Sequence, residues 1–374
     1  MFGVYIHVPF CQSRCGYCDF NTYVPGELGA FSPATYLDAL ERELQLMVQS
    51  YDIGPAHTVF IGGGTPSVLG AKGLSRILDA IRSTCGIARG AEITTESNPE
   101  STSPEFFDSL LKAGFTRLSL GMQSASPRVL KVLERQHTPG RAFEAVREAQ
   151  RAGINHINLD MIYGTPTERD SDIRATLEQI LALDIDHISA YSLIVEDGTR
   201  MARKIRNGHI PAPDEDIYAD RFEMIDRALQ AAGFDWYEVS NWAKKGGQCH
   251  HNLGYWRNHD WWGAGPGAHS HLDGTRFYNV KHPARYAQMI NAGQLPIAER
   301  EVLSTQERHE EQVMLGLRLK EGLGKEHFNE LEVQVIQRFA ERGLLTVGQR
   351  VAVSDRGRLL ADGMIADILV AGER

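Results

Sequence analysis

Cysteine is scarce in this chain, with five among 374 residues, too few for the disulfide framework of a secreted domain. Long apolar runs are missing as well. No run reaches the roughly 18 apolar residues that a membrane-spanning helix needs. Positive charge is in deficit: 39 Lys and Arg stand against 48 Asp and Glu, for a formal net charge of −9. That balance argues against a broad nucleic-acid surface, which requires clustered basic charge. Low-complexity segments and internal repeats are lacking, which excludes solenoids and disordered arrays. No signal peptide is expected, because Gly3 to Val8 already reads as a strand. A reducing cytoplasm fits these absences. The length suits one large domain with a smaller one, or two of medium size.

What cysteine there is lies mostly in one place. Cys11, Cys15 and Cys18 fall within eight residues in the pattern C-x3-C-x2-C. Electron-transfer clusters of four irons normally take four cysteines, and structural zinc takes four ligands. Three thiolates leave one iron unligated, an arrangement suited to a cluster that binds its substrate directly. In radical chemistry that substrate is S-adenosylmethionine, chelated through its amino and carboxylate groups and cleaved by one electron. A zinc site completed by His7 stays open on spacing alone, although His7 sits on the strand before the loop. Tyr17, just before the third cysteine, offers a flat apolar face for an adenine. Cys85 and Cys249 read as buried apolar residues.

Strand-like and helix-like segments alternate over the first two thirds. Strands are expected at Gly3–Val8, His57–Ile61, Ala91–Ser97, Thr116–Leu120, His156–Ile162 and His187–Leu193. Helices are expected near 35–49, 73–84, 105–113, 127–133, 141–152, 170–183 and 214–232. This alternation predicts an α/β fold with a parallel sheet and helices outside. Six such units suit an incomplete (β/α)6 barrel, whose chemistry collects at the C-terminal strand ends. Glycines 62–64 with Thr65, then Glu96, Gln123 and Asp160, fall at those ends. A lone carboxylate there is more often a helix cap; four polar ends around one loop are harder to dismiss.

With these residues in hand, the chain resembles the radical SAM family of oxygen-independent coproporphyrinogen III oxidases and their relatives. The resemblance rests on the cysteine loop with Tyr5 and Tyr17, the Gly62-Gly63-Gly64-Thr65-Pro66 loop, Glu96, Gln123, Leu133-Glu134-Arg135-Gln136-His137, and Asp160 to Pro166. It covers about residues 3 to 240 and, more weakly, the rest. It implies a 4Fe-4S cluster on Cys11, Cys15 and Cys18. It further implies S-adenosylmethionine contacts from Tyr5, Tyr17, Gly63 and Glu96, and a second S-adenosylmethionine near Gly64, Thr65, Gln123, Arg135 and Asp160.

Within the family, the oxidase carries a fourth cysteine two residues after the third, where this chain has Phe20. It also has an N-terminal extension that is not expected here. Both features, and the match of His251-Asn252-Leu253-Gly254-Tyr255-Trp256 to an HNxxYW pattern, resemble the HemW-type heme chaperones. The resemblance implies heme as cargo, heme-requiring acceptors such as respiratory enzymes, a heme-donating storage protein as a further partner, and His251 as a heme-related residue with His250 as its rival. A histidine nitrogen can ligate heme iron and aromatic rings can cover the macrocycle; the alternative is a packed aromatic segment with satisfied histidines. No residue is assigned to catalysis, and whether the radical site is used as an enzyme is left open. Three functions follow: a heme carrier, a coproporphyrinogen III oxidase, or an RNA-modifying radical enzyme, the last disfavoured by the acidic charge.

The expected division is a radical SAM core over 1–240, a connecting segment with the HNxxYW motif over 241–300, and a C-terminal domain over 301–374. That last part, with helices at 304–319 and 333–341, a strand at 351–353 and a final helix capped by Asp355, reads as a small α+β, winged-helix-like module acting as a lid or docking domain.

Overall fold

The computed structural model describes residues 1–29, 31–136 and 138–372; His137 of the family segment lies outside them. The core begins with β1 (Phe2–Val8), α1 (Pro33–Ser50), β2 (Ala56–Gly63), α2 (Gly70–Ser83), β3 (Ile87–Ser97) and α3 (Pro104–Ala113). It continues through β4 (Arg117–Gln123), α4 (Pro127–Val132), α5 (Arg141–Ala152), β5 (His156–Tyr163), α6 (Asp170–Leu181) and β6 (His187–Ser192). Local signals start and stop these elements. Ser32 accepts a hydrogen bond from the Thr35 amide ahead of Pro33 in α1, and Ser103 does the same for Phe106 ahead of Pro104 in α3, which Gly114 ends in a left-handed conformation.

β1 to β6 pair in parallel, in chain order. The strands alternate. Val4, Ile6, Val59, Ile61, Leu118, Leu120, Leu159 and Ile188 face the helices and form the main core, whereas Thr58, Thr94, Arg117, Ser119, Asn158 and His187 line an internal cavity on the other side. Period-two alternation in a parallel sheet marks a barrel whose lumen is polar. β1 and β6 do not pair with each other, so the (β/α)6 barrel is incomplete, as expected.

Four more helices and a strand extension follow: α7 (Arg200–Arg206), α8 (Glu215–Ala231), β7 (Asp235–Glu238), β8 (Asn241–Ala243), α9 (His250–Trp256), β9 (Asp260–Ala264), β10 (His269–Leu272), β11 (Thr275–Asn279), α10 (Pro283–Asn291) and β12 (Ile297–Val302). β8 and β7 add antiparallel to the β6 edge. β9 adds parallel to β1, and β10 to β12 continue antiparallel beyond it. Residues 241–300 therefore belong to the twelve-stranded sheet itself. Its strands are only three to six residues long, which is why their pattern escapes a reading by period.

The last module holds α11 (Thr305–Gly316), β13 (Leu323–Gly324), α12 (Glu330–Glu341), β14 (Leu345–Val347), β15 (Arg350–Val353) and α13 (Ala361–Gly372) around a separate core that includes Val313, Phe339 and Ile368. One expectation fails here. Asp355 does not cap α13, which begins six residues later; its carboxylate accepts the indole N–H of Trp236 instead, at 3.3 Å. Beside it, the Arg358 guanidinium lies 4.1 Å from the Trp236 ring and 4.7 Å from that of Phe222, and donates to Asp226 at 2.8 Å.

One buried carboxylate ties α1 to the strand extension. Glu43 is fully buried and accepts from Tyr286 Oη at 2.6 Å, the Gly265 amide at 2.8 Å and Asn279 Nδ2 at 2.7 Å. Burial raises its pKa from 4.5 to about 7 against those hydrogen bonds. The folded state thus holds the Glu43 proton more tightly than the unfolded chain does. The stabilisation this gives is complete below about pH 4.5 and is lost as pH rises through about 7. Urea midpoints measured across that window are expected to fall less steeply for Glu43→Gln than for the natural protein; parallel slopes would refute the assignment.

Candidate functional site

The cysteine loop is held in place from several sides. The Cys11 amide donates to Tyr23 O at 3.0 Å, the Gly16 amide to Leu133 O at 3.1 Å, and the Met201 amide to Gly16 O at 2.9 Å. Glu134 beneath the loop pairs with Arg200 and Lys204. The glycines after β2 allow that loop to lie against the cysteine segment. Gly63 has φ +108°, and a Cβ there would meet the His7 ring at 2.7 Å; one on Gly64 would meet Phe10 O at 2.5 Å. The Gly64 and Thr65 amides donate to Val8 O and Phe10 O at 2.8 and 2.7 Å. Glycine is required here by close approach.

These loops and the strand ends enclose a cavity of about 1000 Å³. Cys11, Cys15, Cys18, Tyr17, Gly63, Gly64, Thr65, Glu96, Gln123, Arg135 and Asp160 all line it. Thr65 Oγ1 lies 3.6 Å from Cys11 Sγ, and Arg135 Nη1 lies 3.3 Å from Cys15 Sγ while Nη2 donates to Gly121 O at 2.9 Å. Burial pushes the Cys11 and Cys18 thiols up, and the nearby hydroxyl and guanidinium oppose this at Cys11. Among the described residues no three His, Cys, Asp or Glu side chains gather around one ion-sized point. The thiols stand separately supported along the loop.

Two of the carboxylates that line the cavity differ from free ones. Glu96 accepts from the Gly63 amide at 3.2 Å, and burial together with the charge of Asp160 pushes its pKa up to about 8. Asp160 is raised by burial against hydrogen bonds from Asn158 at 2.7 Å and Ser119 at 3.1 Å. Both shifts favour a proton or a bound cation at this wall. Gln123 ends β4 with φ 70°, a left-handed conformation that turns the chain into the cavity wall. Tyr191 and Ile194 also line the cavity and are 43% and 66% exposed. The sequence does not single them out, because an apolar residue in or just after a strand carries the same letters in a core as in a cavity wall.

Two candidates sit elsewhere. Tyr5 does not line this cavity. Its hydroxyl hydrogen-bonds to His7 Nδ1 at 3.1 Å, its ring stacks on Phe60, and it faces the lumen and a second groove beside Glu96. His251 lies inside the barrel. It is 3% exposed, with Nδ1 bonded to Thr58 Oγ1 and Nε2 to Tyr255 Oη, both at 2.8 Å. Burial lowers its pKa to about 3. Both ring nitrogens are thus engaged within the barrel, and His251 presents no free nitrogen at a surface. His250 is exposed. The motif works as a plug: Glu92 of β3 receives the His250 and His251 amides, and Asn252 donates to Glu238 at 3.1 Å.

The chain is similar in sequence and fold to known proteins. A model of the radical SAM superfamily matches residues 5–180, and one of the HemN C-terminal domain matches 303–360. The chain is 50% identical over 369 residues to the heme chaperone HemW of Mycobacterium tuberculosis, covering 98% of this chain and 95% of that protein. The chain belongs to the HemW family. Its likeness to the HemW of Bacillus subtilis is 33% over 379 residues, covering 99% of each. The coproporphyrinogen III oxidase HemN of Escherichia coli, described as a radical SAM enzyme, superposes with a TM-score of 0.84 at 22% identity, covering 98% of this chain and 89% of that one. The fold shared with HemN is the incomplete barrel with its small C-terminal module.

For this HemW-family chain, the plug yields a direct expectation. Replacing His251 with alanine strands Thr58 Oγ1 and Tyr255 Oη inside the barrel, which costs about 2–4 kcal/mol. Chemical denaturation should show that loss, and an unchanged midpoint would refute the structural role.

Proposed function

We propose that the protein binds heme and passes it to heme-requiring proteins, while carrying a 4Fe-4S cluster on Cys11, Cys15 and Cys18 and S-adenosylmethionine beside it. The near full-length identity to the HemW of Mycobacterium tuberculosis carries this reading. Phe20 supports it: the position of the oxidase's fourth cysteine holds an apolar side chain, 64% exposed at the cavity rim. Among the described residues no helix is long and apolar enough to cross a membrane, and a reducing cytoplasm suits the half-buried loop thiols.

The cavity fits the two groups. Cys11, Cys15 and Cys18 would hold a cluster with one iron left for the amino and carboxylate groups of S-adenosylmethionine, and the pair would supply one-electron cleavage of the sulfonium. Glu96, set against the Gly63 amide, is placed to receive the ammonium or ribose hydroxyls. Arg135 screens Cys15 and offers charge to a carboxylate. Tyr17, packed on Ile162 and Leu193, gives a flat wall for adenine, and Asp160 and Gln123 supply polar anchors deeper in.

Anaerobic reconstitution with iron and sulfide, followed by parallel assays of heme binding and coproporphyrinogen III turnover, separates carrier from oxidase. Saturable heme binding without turnover is expected; turnover at enzymatic rates would overturn the carrier reading. Cys15→Ser is expected to lose nearly all cluster iron while Cys85→Ser keeps it.

A further inference from the structure

A second groove of about 680 Å³ opens between the β1–β9–β10 side of the barrel and helix α11 of the C-terminal module. It meets the cysteine cavity along Gly63, Glu96 and Phe20, which line both. Its volume is that of a ligand site, roughly 300–1000 Å³, and its other walls are largely apolar, with Trp261 on one side and Met314 and Leu315 of α11 on the other.

Histidines stand in this wall at alternate positions of β10. His269 is exposed, and its ring stacks on Tyr278 with centroids 5.1 Å apart. Lys281 lines the same groove, and a neutral imidazole is the form that ligates metal. His271 is 5% exposed; its Nδ1 faces Asp260 Oδ1 and His259 O, both at 3.4 Å, and its Nε2 has no partner. Trp261 braces the strand by donating to His269 O at 2.9 Å. The groove thus combines an accessible imidazole, a flat indole, apolar walls and the Lys281 ammonium. A planar, apolar macrocycle with an iron at its centre and carboxylates on one edge requires that combination.

We propose that heme seats in this groove with His269 as its axial ligand and Lys281 beside a propionate. The assignment rests on the heme-carrier reading and gives it a location. It also gives the HNxxYW motif its connection to heme. Tyr255 lines the groove while its hydroxyl is held by His251, so His251 is a positioning residue that acts through that wall.

Hemin titration of the full-length protein, followed by the Soret band and by electron paramagnetic resonance, tests this. The natural protein is expected to bind saturably with an imidazole-ligand signature. His269→Ala should weaken binding at least tenfold and lose that signature, and His269→Cys should regain heme with a thiolate signature. His250→Ala should match the natural protein, and S-adenosylmethionine binding by reconstituted His269→Ala should be unchanged, which shows an intact fold. An unaltered affinity and spectrum in His269→Ala would overturn the location, as would loss of the imidazole signature in His250→Ala or His271→Ala with His269→Ala unaffected. No heme binding by the natural protein would remove the carrier reading itself, a distinct result.

Discussion

A buried hydrogen-bonding group without a partner costs more than a satisfied one gains, and this barrel turns nearly all of its inward strand positions over to such groups. Thr58, Arg117, Ser119, Asn158, Asp160 and His187 all face a lumen whose strands never close into a ring. Much of the lumen is satisfied by its own network and by α9, although Thr94 Oγ1 and Arg117 Nη2 are buried without a partner. His187 bridges Asn158 and Tyr237 at 2.7 and 2.8 Å, and His251 bridges Thr58 and Tyr255. The strand ends that hold Glu96 and Asp160 are kept in register from below by this network.

Much of this was legible in the chain. The C-x3-C-x2-C spacing, the glycines after the second strand and the polar residues at later strand ends do converge on one cavity, because parallel strands place their C-terminal ends together whatever the details of packing. The helices around the core were legible from the alternation of strand-like and helix-like segments. What escaped was set by distant partners. The strands of residues 241–300 are stabilised by pairing at the sheet edge, and their few residues give no period to read. His251 looked like a ligand because a histidine between aromatics carries the same letters in a heme pocket and in a packed interior. Only the hydrogen bonds on both ring nitrogens separate the two.

Phe20 illustrates how one position can redirect a shared site. It follows the third cysteine closely, at the rim where the cysteine cavity and the second groove meet. A thiol there would be a further soft donor next to the cluster. An exposed phenyl ring instead presents apolar surface toward a neighbouring compartment, at a cost in solvation that an isolated enzyme loop has no reason to bear.

The far end of the C-terminal module is fixed by Arg358, sandwiched by Trp236 and Phe222 and tied to Asp226. Met314 and Leu315 line the groove from α11, and α11 has ties of its own to the strand extension: Glu311 pairs with Arg276 of β11, and Arg308 donates to Leu303 O and Asp273 O at 3.2 and 3.3 Å. Arg257 and Glu321 form a further pair at 2.9 Å. The module is therefore clamped to the barrel at several separated points, and the groove wall that it supplies is set by charge as much as by packing.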